Sequence, residues 1–184
     1  MSGSILIIPF GSVSKSLCRD LGEAITEIVG LPASVGVPLG EPKYAFNPGR
    51  DQYHTAAILR RVAQALGKGD TLGIGVVNGD LFTPDLNFVF GDADRAERAG
   101  VISITRMDQT WYGRDADHAL LMRRALSESL ATVGHILGLP HCTTDSCAMF
   151  LSNTLSDTDR KRGRFCDGCT NKVRAAVAAM DLAS

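Results

Sequence analysis

The spacing of hydrophobic residues changes several times along this chain, and each change marks a predicted element. The short continuous apolar run Ile5-Leu6-Ile7-Ile8 predicts a buried strand over residues 4–8. Leu17, Leu21, Ala24, Ile25 and Ile28 then recur at helical spacing, with Ser14 placed to cap the start and Gly30 and Pro32 to end the helix. A strand over 33–37 follows, and then a helix from near Asp51 to Gly67, marked by Leu59, Val62, Ala63 and Leu66. Residues 71–77 read as another buried strand, in which Gly73 and Gly75 let a neighbouring backbone approach closely. Two more strands are expected over 87–91 and 101–105, joined by a charged turn over 92–98. This alternation predicts an α/β fold: a mixed, mostly parallel sheet with backing helices and room for one antiparallel strand at an edge.

The longest helical signal runs from about Asp117 to Leu137, free of proline and closed by Gly138 and Pro140. Leu126, Leu130, Val133 and Leu137 form one narrow stripe assigned to the core. Arg124, Glu128, Ala131 and His135 fall on the opposite face, where His135 meets either a cleft or solvent.

Composition narrows the classes. With 45% hydrophobic and 21% charged residues in 184, the chain is ordinary globular material, not a disordered or coiled-coil sequence. Nineteen Lys and Arg against twenty Asp and Glu give a net charge of −1, which argues against a generic polyanion or polycation binder. The first apolar run is cut by Pro9 and Gly11, too short for a signal segment or a membrane span, so a soluble cytoplasmic protein with no membrane partner is expected.

Cysteine usage changes the picture more. Four of the five cysteines, Cys142, Cys147, Cys166 and Cys169, lie in the last quarter at C-x4-C and C-x2-C spacing. In a reducing compartment such pairs suit a tetrahedral thiolate zinc site, with disulfides or free thiols as the alternatives. Residues 143–146 and 160–168 carry few bulky apolar side chains, so a bound metal would supply folding energy that they lack. Cys18, on a predicted amphipathic helix, reads as a packed core thiol.

The cysteines follow directly on the long helix. The chain reads Ala131-Thr132-Val133-Gly134-His135-Ile136-Leu137-Gly138-Leu139-Pro140-His141-Cys142, then Cys147-Ala148-Met149, and after sixteen residues Cys166-Asp167-Gly168-Cys169. In this it resembles the archaemetzincins, zinc metallopeptidases of the metzincin clan. Their pattern is HExxHxxGxxH followed at once by Cys, then a second Cys, a Met and a CxxC. Residues 80–84 and 86–91 are similar to the family's segment ahead of its active-site helix, and 150–159 to its stretch after the Met, so the resemblance covers nearly the whole chain.

The resemblance implies a single metzincin-like domain over 1–184. An upper subdomain, 1–138, would hold the sheet and the active-site helix, and a small zinc-stapled lower subdomain would span 139–184. It further implies a structural zinc on the four cysteines, and Met149 as a turn beneath the cleft, a generic core methionine being the alternative. By the same resemblance His135 and His141 are two of the three ligands of a second, catalytic-type zinc. The strand over 87–91 becomes the edge to which an extended peptide would add, as the partner in the cleft.

The departure from the pattern is at its head. Ala131 and Thr132 stand where the family has its first His ligand and its general-base Glu. Catalytic zinc sites normally take three protein ligands plus water, and a general base contributes about 10²–10⁴-fold. The expectation is therefore a weakened or inactive peptidase homologue. It has no catalytic residue assigned and one structural zinc, and a second zinc at His135 and His141 is left open, as is their being metal-free remnants.

Two alternatives stand beside it. An active zinc peptidase would need a substitute ligand and base. Glu128 shares the helix face but leans toward the N-terminus, away from a metal between positions 131 and 135, and Asp145, His118 or residues 108–114 would have to approach from elsewhere. A zinc-ribbon-like nucleic-acid module is suggested by Arg160, Lys161, Arg162, Arg164, Lys172 and Arg174. Interleaved Asp157, Asp159 and Asp167 oppose it, so no nucleic-acid partner is expected.

Overall fold

The computed structural model describes residues 3–67 and 71–182. In chain order the elements are β1 (Ser4–Pro9), α1 (Lys15–Val29), β2 (Ala33–Val35), β3 (Phe46–Asn47), β4 (Gln52–His54), α2 (Thr55–Ala65), β5 (Thr71–Val77), β6 (Leu81–Phe82), β7 (Gly91–Asp94), β8 (Ala99–Ser103), α3 (His118–Ile136), α4 (Leu155–Arg160) and α5 (Asp167–Leu182). The main sheet has the order β2-β1-β5-β8-β7, parallel throughout except for β7, which pairs antiparallel with β8 at the edge. A small three-stranded sheet, β3-β4-β6, lies apart from it. The expected mixed, mostly parallel α/β architecture is therefore present.

Alternation along the central strands sends side chains into two cores. Ile5, Ile7, Leu72, Ile74 and Val76 pack with α1 and α3 on one face. Ile8, Phe10, Val77 and Val101 pack with Ile58, Leu59 and Val62 of α2 on the other. A Cβ on Gly73 would lie 2.6 Å from Val62 Cγ1 and one on Gly75 2.9 Å from Val62 Cγ2, so the glycines of β5 make room for a side chain of α2, not for the neighbouring backbone expected from the sequence. Ser14 caps α1 through Ser16 N and Leu17 N, and Gly30 ends it at φ 83°, both as the sequence indicates.

Four boundaries differ. The strand expected over 33–37 stops at Val35. The second helix begins at Thr55 rather than near Asp51, because residues 52–54 form β4 and His54 Nδ1 accepts from Ala56 N to cap the helix. The strand expected over 87–91 is displaced: Val89 alone bridges Leu81, while Phe88 and Phe90 pack edge-to-face at 5.2 Å. The edge strand is Gly91–Asp94, so part of the expected charged turn is strand, and its partner covers Ala99–Ser103 rather than 101–105. Gly-Asp-Ala-Asp has no apolar periodicity. An edge strand open to solvent needs none, because its ladder to β8 holds it.

Candidate metal centre and cleft

The long helix α3 starts where Asp117 Oδ1 accepts from Leu120 N at 2.9 Å, and its stripe behaves as read: Leu130 and Val133 are fully buried, Leu126 and Leu137 half-buried. The opposite face is not solvated. The chain after Gly138 folds back over it, burying Arg124, Glu128 and Ala131. Arg124 grips Asp159 with two nitrogens at 2.6 and 2.8 Å and donates to the Met107 carbonyl at 2.6 Å. One turn on, Glu128 Oε1 accepts from Lys161 Nζ at 3.0 Å, Ser152 Oγ at 2.8 Å and Thr158 Oγ1 at 3.2 Å.

Lys161 is only 1% exposed. Nothing in a charged run such as Asp159-Arg160-Lys161-Arg162 marks one member as buried, and the sequence offers no signal for this clamp. Breaking a buried ion pair leaves an uncompensated charge. Lys161→Ala should therefore destabilise the protein by about 3–5 kcal/mol, measured by urea unfolding; a change indistinguishable from that of an exposed lysine would contradict this account.

At the end of α3, Leu139 N bonds to the Gly134 carbonyl at 2.8 Å and Gly138 N to the His135 carbonyl at 2.9 Å, with Gly138 at φ 92°. This left-handed cap turns the chain back on itself and brings His141 to His135, with ring centroids 4.6 Å apart. The Leu139 carbonyl can only accept, so His135 Nδ1, 3.0 Å away, carries the hydrogen and Nε2 keeps its lone pair. Burial and the neighbouring His141 hold the His135 pKa below its ordinary value. Met149 is fully buried beneath the helix, and a Cβ on Gly134 would come within 2.2 Å of its sulfur.

The residues at the two altered positions are both enclosed. Ala131 contributes only a methyl group to the cleft wall. Thr132 donates its hydroxyl to the Glu128 carbonyl at 2.8 Å and turns its methyl toward β8, where a Cβ on Gly100 would lie 2.0 Å from Cγ2. Gly100→Ala should accordingly cost about 1–3 kcal/mol, and adding Thr132→Ser, which deletes that methyl, should recover part of the loss. Equal losses with and without the serine, by denaturant titration, would show that the crowding lies elsewhere.

Together these parts enclose a cleft of about 570 Å³. Helix α3 supplies Glu128, Ala131, Thr132 and His135, residues 86–93 supply one wall, and 150–153 the other. Edge strand β7 belongs to that wall, so the sheet edge beside the cleft lies slightly later in the chain than the 87–91 expected for it.

The cysteine cluster adjoins the foot of this cleft, since Cys142 follows His141. The Sγ atoms of Cys142, Cys147, Cys166 and Cys169 all lie within 4.8 Å of one another, and none is in a disulfide. Cys142 Sγ is 3.8 Å from Cys166 Sγ; tetrahedral zinc with Zn–S of about 2.3 Å requires sulfur–sulfur edges of about 3.8 Å. The donor set therefore fits zinc. Its geometry follows from the local chain: Thr144 N donates to Cys142 Sγ and Cys166 N to Cys147 Sγ, while the first turn of α5 carries Cys169. Burial raises the Cys147 and Cys169 pKa values; at Cys142 burial is outweighed by the Thr144 donors, giving about 7.

Among the described residues this quartet is the one group of three or more His, Cys, Asp and Glu side chains placed to hold an ion. His135 and His141 do meet, but Asp145, His118 and residues 108–114 do not join them in such a group.

Comparison with known proteins agrees with this architecture. The model of peptidase family M54 matches residues 25–175. The archaemetzincin of Thermococcus kodakarensis is 33% identical over 175 residues, covering 92% of this chain and 94% of that one. That of Methanocaldococcus jannaschii is 32% identical over 170 residues, with 92% of each covered. Among solved structures, a zinc-dependent peptidase from Methanocorpusculum labreanum superposes with a TM-score of 0.84 at 28% identity, over 92% of this chain and 100% of the other. The archaemetzincin of Methanopyrus kandleri gives 0.80 at 28% identity over 96% of both. The chain therefore belongs to peptidase family M54, the archaemetzincins.

Proposed function

We propose that this chain is an archaemetzincin homologue that keeps one structural zinc on Cys142, Cys147, Cys166 and Cys169 and binds extended peptide in its cleft with little or no hydrolysis. The observation that carries this reading is the foot of the cleft, where two imidazoles face an alanine methyl and a threonine hydroxyl already bonded to the helix backbone. Those residues do not fit a catalytic zinc, which takes three protein ligands and a nearby base. In the cysteine cluster a zinc would supply a cross-link between the loop over 142–147 and the start of α5. The chain's own part is to present four sulfurs at tetrahedral spacing and to steady two of them with backbone N–H groups.

The same reading takes residues 1–184 as one metzincin-like domain, with the division at Gly138 running through the cleft. The ion pairs Arg124–Asp159 and Glu128–Lys161, which cross that division, support it. A nucleic-acid role is disfavoured because Lys161 is buried on Glu128 and Arg160 pairs with Asp157 at 3.4 Å, leaving less of the basic cluster for phosphate. A cytoplasmic setting suits the unpaired thiols, and no helix among the described residues is long and apolar enough to cross a membrane.

A second reading, an active peptidase with a substitute base, has one observation in its favour: Glu128 lines the cleft, and among the described residues its hydrogen bonds all fall on Oε1. The two readings separate on a mixed peptide library incubated with the protein and followed by mass spectrometry. The expected result is saturable peptide binding with no new termini. Cleavage that a chelator stops and that Glu128→Gln abolishes would establish the second reading instead.

A further inference from the structure

Strands β1 and β5 lie side by side, yet the chain leaves them in opposite directions, β1 through α1 to β2 and β5 outward to its other neighbour β8. In a parallel sheet a crevice opens beyond the strand ends where the order reverses, and ligands commonly bind there. Here that crevice contains a cavity of about 250 Å³. Phe10 and Ser12 line it after β1, Asn78 after β5, and Glu41, Pro42 and Tyr53 cover it. No residue lines both this cavity and the cleft beside α3.

Its chemistry is selective. The volume falls below the about 300–1,000 Å³ of drug-sized pockets, which excludes a nucleotide. The start of α1 is closed to an anion, because Ser14 Oγ already accepts from Ser16 N at 3.2 Å and Leu17 N at 3.5 Å. Glu41 is the one carboxyl group in the lining, which holds no Lys, Arg or His; its Oε1 accepts from Tyr53 Oη at 2.6 Å, and among the described residues its Oε2 has no hydrogen-bond partner. Asn78 Oδ1 accepts from Thr105 Oγ1 at 3.1 Å, and Ser12 Oγ has no partner among the described residues. A lone carboxylate beside aromatic and proline walls repels phosphate and attracts an ammonium group carried on an apolar stem.

We infer that this cavity is a binding site for a small organic ammonium ion, its charged head on Glu41 and its carbon stem against Pro42 and Tyr53. The test is titration of the full chain with n-butylammonium chloride at constant ionic strength, followed by backbone amide NMR shifts. Saturable shifts are expected at Gly11, Ser12, Asn78 and Gly79. n-Butanol and sodium butyrate, which share the stem but lack the cation, should bind far more weakly. Glu41 is exposed, and Glu41→Gln keeps an acceptor for the Tyr53 hydroxyl, so the variant should fold and lose about tenfold or more in affinity. The absence of saturable shifts at those amides, equal binding of n-butanol, or undiminished affinity in Glu41→Gln would each overturn the proposal. The butanol comparison uses the unaltered protein and does not depend on the variant.

Discussion

Zinc should leave this protein only together with its fold, at about one ion per chain. Cys142 N bonds to the Met149 carbonyl, Ala148 N to the Arg164 carbonyl and Arg162 N to the Ser146 carbonyl. The segment carrying Met149 and the cleft's second wall is thus hung between the two pairs of cysteines. Structural zinc contributes about 10–16 kcal/mol in isolated zinc-finger peptides, while whole domains are stable by only about 5–15 kcal/mol. Even a fraction of the former decides whether the segment folds. Cys169→Ser should lose most of the zinc and lower the melting temperature sharply, because Cys169 is 5% exposed and, among the described residues, no fifth His, Cys, Asp or Glu joins the cluster. Cys18→Ser removes a buried thiol from the α1 face of the core and should leave the metal count unchanged. Elemental analysis and circular dichroism melts with and without a chelator measure both. A chelator that removes the zinc without moving the melt, or a protein two hydrogens lighter per pair of cysteines, would show that the cluster is not a structural thiolate site.

The cysteine site was legible because its information is local: two short spacings, each within one turn of chain, fix two pairs of sulfurs. The caps of α1 and α3 were legible for the same reason, since Ser14, Gly30, Asp117 and Gly138 act on residues two to four positions away. What escaped the sequence depends on distant partners. Strand β7 is polar and exists through its ladder with β8. Arg124 and Glu128 look like surface residues on a helical wheel, and become interior only because Asp159 and Lys161, more than thirty positions later, fold over them. Their burial also corrects the view of that helix face as simply opposite the core: its first half anchors the returning chain, and its second half, from Ala131 to His135, lines the cleft.

Restoring the two altered positions gives the other large effect. Ala131→His with Thr132→Glu should raise the zinc content from about one to about two per chain and produce peptide cleavage that a chelator stops. Position 131 lies one helical turn before His135 and lines the same cleft, so an imidazole there would join His135 and His141 as a third nitrogen donor. His135 is already prepared, because its bond to Leu139 leaves Nε2 free. The two changes have separable consequences. Ala131→His alone should bind the second ion and remain nearly inactive, whereas Thr132→Glu alone should gain neither metal nor activity, since two imidazoles still face a weakly held ion. The double variant should exceed Ala131→His in rate by about 10²–10⁴-fold, the usual contribution of a general base. Thr132 sits against Gly100, so the glutamate must turn its longer chain away from β8 and into the cleft, where the Glu128–Lys161 pair occupies the next turn. A double variant that folds but takes up no second zinc would mean that this clamp, and not only the missing imidazole, has reshaped the site.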